Sequence, residues 1–188
     1  SESPVDMIRV ASYVKDIDKA IFMVNHFAGK GYETTINIMA ISKDQGIELD
    51  EALRQIEGES KVNVVYIVDS FGNLYQETTE ILVKRFKAIL KTREVGFHGH
   101  NHQQLAFSNT IEAIIHNANY LDATIYGIGR AAGNCPLELL IGFLKNPKFD
   151  LRPILDIISN EFIPLSNKIE WGYVIPYAIA GMMNEHPK

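Results

Sequence analysis

Hydrophobic positions along the chain switch between two rhythms. Residues 7–11, 34–40, 62–68 and 120–125 are short runs rich in Val, Ile, Thr and aromatics. A further run begins near 94 and ends in Val95-Gly96-Phe97-His98-Gly99-His100. Such runs predict strands. The run at 62–68 is almost wholly apolar, which predicts burial on both faces, as in a parallel sheet. Between the runs the period lengthens. Ile17, Ala20, Ile21, Val24, Phe27 and Ala28 share one face of a helix over 16–28, which Gly29 and Gly31 stop. Leu49, Leu53 and Ile56 mark a weaker helix. Leu82, Val83, Phe86, Ile89 and Leu90 predict another over 78–91, and Phe107, Ile111, Ile114, Ile115 and Ala118 give the stripe of the next. Pro136 is placed in the first turn of a helix whose inner face is Leu137, Leu140, Ile141 and Leu144.

Strand then helix, five times over, is the βαβ signature of a parallel α/β fold. The strands start near 7, 34, 62, 94 and 121, and a (β/α)8 TIM barrel spends roughly 30 residues on each unit. A doubly wound sheet shows the same alternation. The barrel is favoured because the polar residues Asp69, His98, His100 and Asn134 all follow the C-terminal ends of strands, where they converge on one mouth. A phosphate fingerprint is also lacking, since Gly127-x-Gly129 does not extend to G-x-G-x-x-G. Five units leave two edges unpaired. The expectation is therefore a partial barrel continued upstream by three units, on the order of 90 residues, with an open five-stranded sheet as the alternative. Residues 1–188 are expected to form one partial catalytic domain, with βα units over 1–145 and a helical tail over 146–188.

Composition narrows the function classes. The 188 residues are 46% hydrophobic and 22% charged, with a net charge of −5 and no basic run, so a nucleic-acid partner is not expected. No apolar stretch is long enough to span a bilayer, and the N-terminus lacks a basic segment followed by an apolar one. A single cysteine, Cys135, fits a reducing compartment. These features point to a cytoplasmic protein without a membrane partner.

The candidate chemistry centres on His98 and His100. Positions i and i+2 of a strand face the same side, so the two imidazoles project together where the strand ends. That is half of a divalent-metal site. The bland alternative, one histidine capping a helix and one packed in a crevice, is weaker for a pair at this spacing. Asp69 and Ser70 either shape a substrate pocket or cap the following turn. Gly127 and Gly129 either allow close backbone approach or simply make a turn. Arg130 is placed to meet a substrate carboxylate or phosphate, with solvation at the surface as the equal alternative. His26, His102, His116 and His186 are read as structural, as is Cys135.

Taken together, Met7-Ile8-Arg9-Val10-Ala11, Val68-Asp69-Ser70, Gly96-Phe97-His98-Gly99-His100-Asn101 and Gly127-Ile128-Gly129-Arg130-Ala131-Ala132-Gly133-Asn134-Cys135-Pro136-Leu137-Glu138 resemble the HMG-CoA-lyase-like superfamily of metal-dependent barrels. The likeness leans to the 4-hydroxy-2-oxovalerate aldolase branch, and the Gly127–Asn134 element also resembles isopropylmalate synthases. The resemblance implies that the chain supplies about strands four to eight. It implies that His98 and His100 are the two metal-binding histidines and that Asn134 ligates beside them, directly or through water. It further implies an aspartate ligand and a nearby arginine on the family's first strand, which have no counterpart in this sequence. The implied cofactor is a divalent cation, Mn²⁺ first, with Mg²⁺, Co²⁺ or Zn²⁺ also compatible with nitrogen and oxygen donors. The implied reaction cleaves or forms a C–C bond next to a small-molecule 2-oxo acid, with possible homo-oligomers.

The tail changes character, with an amphipathic helix through Leu151, Ile154, Leu155, Ile157 and Ile158 and then Glu170-Trp171-Gly172-Tyr173-Val174-Ile175-Pro176-Tyr177. The resembling aldolases bring a C-terminal tyrosine to the active site, so Tyr173 is the catalytic candidate, with core packing as its alternative. Two further functions stay open: an acyl-CoA condensing enzyme of the isopropylmalate synthase type, and a non-catalytic barrel subunit.

Overall fold

The computed structural model describes residues 3–186. Five parallel strands run β1 (Met7–Ser12), β2 (Glu33–Ile38), β3 (Val64–Asp69), β4 (Glu94–Gly99) and β5 (Tyr120–Leu121), and they lie side by side in sequence order. Helices α1 (Ile17–Ala28), α2 (Ile47–Glu59), α3 (Gln76–Ile89) and α4 (Ala106–Ile115) link them. Sequential parallel order is that of successive units in a (β/α)8 barrel, and the sheet forms an arc of one. Then follow α5 (Leu137–Leu144), α6 (Arg152–Ile157), a π-helical turn at Ile158–Phe162, α7 (Ile163–Ser166) and α8 (Ile175–Met182).

Strand parity divides the molecule into two sides. Val10, Ile36, Ile38, Val65, Ile67, Val95 and Phe97 point to the helices and join Ile21, Val24, Leu53, Ile56, Leu82, Val83 and Phe86 in one core. The opposite parity lines the concave side, where Val64, Tyr66 and Val68 form a separate cluster. The register pairs Arg9 with Thr35, Thr35 with Val64, Tyr66 with Gly96 and Val68 with His98. These residues therefore share the concave face. All six residues of β3 are buried, as its apolar run predicts.

Three local expectations are corrected. The fifth strand is only Tyr120–Leu121, not 120–125, because Thr124 turns its backbone to Cys135 and Leu137 (Thr124 N–H to Cys135 O, 3.0 Å; Leu137 N–H to Thr124 O, 2.8 Å). On α4 the residues facing the sheet are Ala106, Asn109, Thr110 and Ala113, while Ile115 is exposed. Small side chains let α4 lie close to the sheet, Asn109 Nδ2 donates to Leu74 O (2.7 Å), and Phe107 and Ile114 turn toward Cys135 and Leu140 instead. Pro136 is the N-cap of α5 rather than a first-turn residue, and of the proposed α5 face only Leu140 is buried. In the tail stripe only Ile158 is buried; Leu151 and Ile154 are half-buried, and Leu155 and Ile157 are exposed. No helix of the described residues is long and apolar enough to cross a membrane.

Gly96 makes room for the ring of Tyr66. A Cβ there would lie 2.6 Å from Tyr66 Cε1. Gly96→Ala is expected to destabilise the fold by about 1–3 kcal/mol through overpacking. Adding Tyr66→Leu should recover part of that loss. Urea unfolding of the single and double variants checks this, and strict additivity would count against it.

Candidate active site

The concave side opens at the C-terminal ends of the strands into a cavity of about 480 Å³, lined by Arg9, Ala11, Asn37, Met39, Val68, Ser70, His98, His100, Asp122 and Arg130. Most of these are the inward parity of the strands, carried just past their ends. His98 and His100 stand on one face, with ring centroids 5.1 Å apart and planes at 74°. Gly99 between them points the other way, where a Cβ would sit 3.1 Å from the Phe97 ring.

Asn134 is brought up by the loop after β5. It forms an isolated antiparallel bridge with His100. Its backbone N–H donates to Gly127 O (3.0 Å), and its Nδ2 donates to Ile128 O (3.1 Å). That bond fixes the amide and leaves Oδ1 buried without a hydrogen-bond partner. The loop closes this tightly only because two positions are glycine. A Cβ on Gly129 would lie 2.4 Å from Asn134 Nδ2, and one on Gly133 would lie 2.0 Å from Gly127 O, with Gly133 at φ +76°.

The electrostatics favour a neutral His100. Burial, reinforced by His98 and Arg130, pushes the His100 imidazole down to about 3, so it is uncharged at neutral pH. Its Nδ1 is buried without a partner. Two imidazoles and a fixed amide oxygen, with buried unpartnered atoms on His100 and Asn134, suit a divalent cation. Among the described residues no carboxylate completes a three-ligand group with them; Asp122 lines the same cavity but meets His98 at Nδ1. Among the described residues, the three-ligand group of His, Cys, Asp or Glu is Glu80, Glu112 and His116, whose ligand atoms lie within 4.8 Å of one another. That carboxylate–histidine group could hold a metal ion, but it belongs to α3 and the end of α4, and Glu80 also pairs with Lys84. It is not the predicted centre.

The other predicted residues fall in different places. The Asp69 carboxylate is turned inward, accepting from Asn73 N–H and Leu74 N–H (3.0 Å each), which is a turn-capping geometry. Ser70 lines the cavity while its Oγ accepts from Ala40 N–H (2.8 Å). Arg130 reaches the cavity, with Nη1 3.1 Å from His186 Nε2. Tyr173 does not meet the histidines. It lines a neighbouring groove with Tyr126 and Trp171, where Trp171 Nε1 donates to Tyr126 O (3.1 Å). Cys135 is buried and its thiol is pushed up to about 11 by burial, which suits a packing role. His102 is fully buried under α8, where a Cβ on Gly181 would lie 2.7 Å from His102 Cβ.

Sequence reasoning passed over Arg9 and Asp122. Asp122 Oδ2 lies 2.9 Å from His98 Nδ1, and Arg9 grips the same carboxylate with Nη1 (3.0 Å) and Nη2 (2.6 Å). The Arg9 guanidinium stacks 4.3 Å from the centroid of Tyr66. Burial works against ionisation of Asp122, but hydrogen bonds from His98 and Arg9 outweigh it and hold the carboxyl below its usual range. Burial, then the Asp122 charge, pushes the Tyr66 phenol up to about 12. The available signal was one arginine inside an otherwise apolar strand.

An arc of parallel βα units with a His-x-His pair at its mouth and an asparagine bridged to the second histidine defines the class: a parallel α/β barrel. The chain belongs to the HMGL-like family, whose profile matches residues 6–159. It is 35% identical over 168 residues to a 4-hydroxy-2-oxovalerate aldolase of Thermus thermophilus, covering 87% of this chain and 48% of that enzyme. It is 30% identical over 163 residues to an oxaloacetate decarboxylase of Mycobacterium tuberculosis, covering 85% of this chain and 48% of that enzyme. The N-terminal domain of a proposed aldolase from Bacteroides vulgatus superposes with a TM-score of 0.86 at 34% identity, over 97% of this chain and 61% of that one. The chain thus spans about half the length of the curated relatives it matches.

Asp69 offers a test of its burial. Desolvation raises its carboxyl to about 6 despite the backbone donors around it. The folded state therefore prefers the protonated acid. Its contribution is fully present below about pH 4, the unfolded range, and is lost as pH rises through about 6. The loss is on the order of 2–3 kcal/mol. Asp69→Asn should flatten the stability profile across that window in urea titrations at successive pH values. An unchanged slope would refute the assignment.

Proposed function

We propose that the chain carries the histidine half of the active site of a divalent-metal-dependent lyase, which cleaves or forms a C–C bond next to a 2-oxo acid. The observation that carries this is the pair His98 and His100 lining one cavity, with Asn134 bridged to His100, His100 neutral, and buried unpartnered atoms left on His100 Nδ1 and Asn134 Oδ1. Family membership supports it. So do the two relatives named above, because an aldol cleavage of 4-hydroxy-2-oxovalerate and a decarboxylation of oxaloacetate both break the bond beyond C3 of a 2-oxo acid.

His98, His100 and Asn134 would hold the cation, and Mn²⁺, Mg²⁺, Co²⁺ and Zn²⁺ all accept such nitrogen and oxygen donors. When bound, it would supply Lewis-acid polarisation of the substrate's 2-oxo group. The chain's own residues do the rest of what can be assigned. His100, uncharged at neutral pH, keeps a lone pair available instead of repelling a cation. Asn134, locked by Ile128 O, presents its carbonyl oxygen and not its amide nitrogen. Arg130 is the cavity cation suited to a substrate carboxylate, since Arg9 is already neutralised by Asp122. Ser70 offers a hydroxyl at the same wall. Tyr173, in the neighbouring groove, is given no step.

The full-length gene product is expected to retain about one divalent ion per chain, and His98→Ala or His100→Ala should lose it. Pyruvate release from 4-hydroxy-2-oxo acids or oxaloacetate should fall in both variants by more than about 100-fold, exceeding the loss typical of outer residues around a metal. Elemental analysis with a coupled pyruvate assay decides this. Equal metal content in native and variant proteins would sink the lyase reading and favour a binding subunit.

A further inference from the structure

The contact between Arg9 and Asp122 joins residues 113 positions apart, one on the first strand of the sheet and one just beyond the last. Both belong to the concave side. The carboxylate has its two oxygens divided. Oδ1 takes Arg9 Nη1, and Oδ2 takes Arg9 Nη2 and faces His98 Nδ1. A guanidinium only donates and is always charged, so an ionised carboxylate opposite it only accepts. His98 Nδ1 must then carry the hydrogen, and in the neutral ring the lone pair is on Nε2. The arginine is held in turn. Its guanidinium lies on the Tyr66 ring, and that ring fits only because residue 96 is glycine.

We propose that Asp122, clamped by Arg9 on its Tyr66 platform, is the positioning residue that fixes the tautomer and ring orientation of His98, so that Nε2 faces the cavity as a donor. The part of this that concerns a cation rests on the lyase reading; the tautomer assignment does not. A charged pair taken partly out of water is a poor source of stability, and the side chains of Arg9 and Asp122 keep only 41% and 18% of their exposure. Orienting an imidazole is a function such a pair serves well, since a carboxylate on the distal nitrogen of a ligating histidine fixes the ring and raises its basicity. Among the described residues His100 has no comparable carboxylate, so the arrangement singles out His98.

The test uses the full-length gene product with ¹⁵N-labelled histidine. Two-bond ¹H–¹⁵N spectra report the tautomer of each ring, and Mn²⁺ titration reports affinity. Native His98 is expected as the Nδ1–H tautomer. Asp122→Asn should shift it toward a mixture and weaken Mn²⁺ binding by about 10–100-fold. Arg9→Lys should lie between native protein and Arg9→Met, because it keeps the charge but not the two-pronged grip. A native Nε2–H tautomer overturns the proposal without recourse to any variant. So does Asp122→Asn with an unchanged tautomer and native Mn²⁺ affinity. A tautomer that shifts in a protein that takes up no Mn²⁺ upholds the positioning role and refutes the metal reading, so the two failures are told apart.

Discussion

The parallel ladder from β1 to β5 is the constraint on which the rest depends. Parallel pairing in sequence order holds every strand pointing the same way, so all C-terminal ends meet on one rim. Pairing also locks parity across strands. Once Val68 sits beside His98, and Tyr66 beside Gly96, the residues that face the cavity are decided for β1 and β2 as well. A slip of one residue in β4 would send both histidines into the helix-side core and bring Phe97 and Gly99 to the mouth. The buried packing of Phe97 against the helices is therefore what holds the site in register.

Much of this was readable from local pattern, because strand runs and helix stripes are short-range signals. The starts of β1 to β4, the wholly buried β3 and the shared face of His98 and His100 follow from periodicity, whereas the place of Asn134 beside His100 follows from barrel topology and the family resemblance. What escaped is non-local. The role of Arg9 depends on a partner 113 residues away, and nothing in Met7-Ile8-Arg9-Val10-Ala11 states which way the sheet curls. The α4 stripe misled for a related reason. Periodicity assigns its large apolar residues to the sheet-facing side, whereas close approach to the sheet selects Ala106, Asn109, Thr110 and Ala113. The opening of α8 at Ile175, with Pro176 in its first turn, was likewise hidden in what reads as an extended aromatic segment.

The C-terminal end of the arc differs from its middle. In α1, α2 and α3 the sheet-facing apolar residues are buried, whereas on α5 only Leu140 is, and Leu139, Phe143 and Leu144 are exposed. A helix in the middle has neighbours on both flanks as well as the sheet beneath it. At the end of the arc α5 lacks such a neighbour on one flank among the described residues. Periodicity finds an apolar face equally well in both cases, because the amphipathic pattern encodes what a helix can bury rather than what lies beside it.

That geometry also explains how the polar machinery is distributed. The concave side near the rim contains Arg9, Asp122, His98 and His100, an unfavourable collection to remove from water unless each group satisfies another. Three of them do so in a line from Tyr66 through Arg9 and Asp122 to His98. His100 and Asn134 stand outside the line, each with a buried atom unpaired. The closed part of the network is thus the supporting frame for His98. The unpaired atoms of His100 and Asn134 lie beside that frame, and under the lyase reading proposed above they are the ones free to take a ligand.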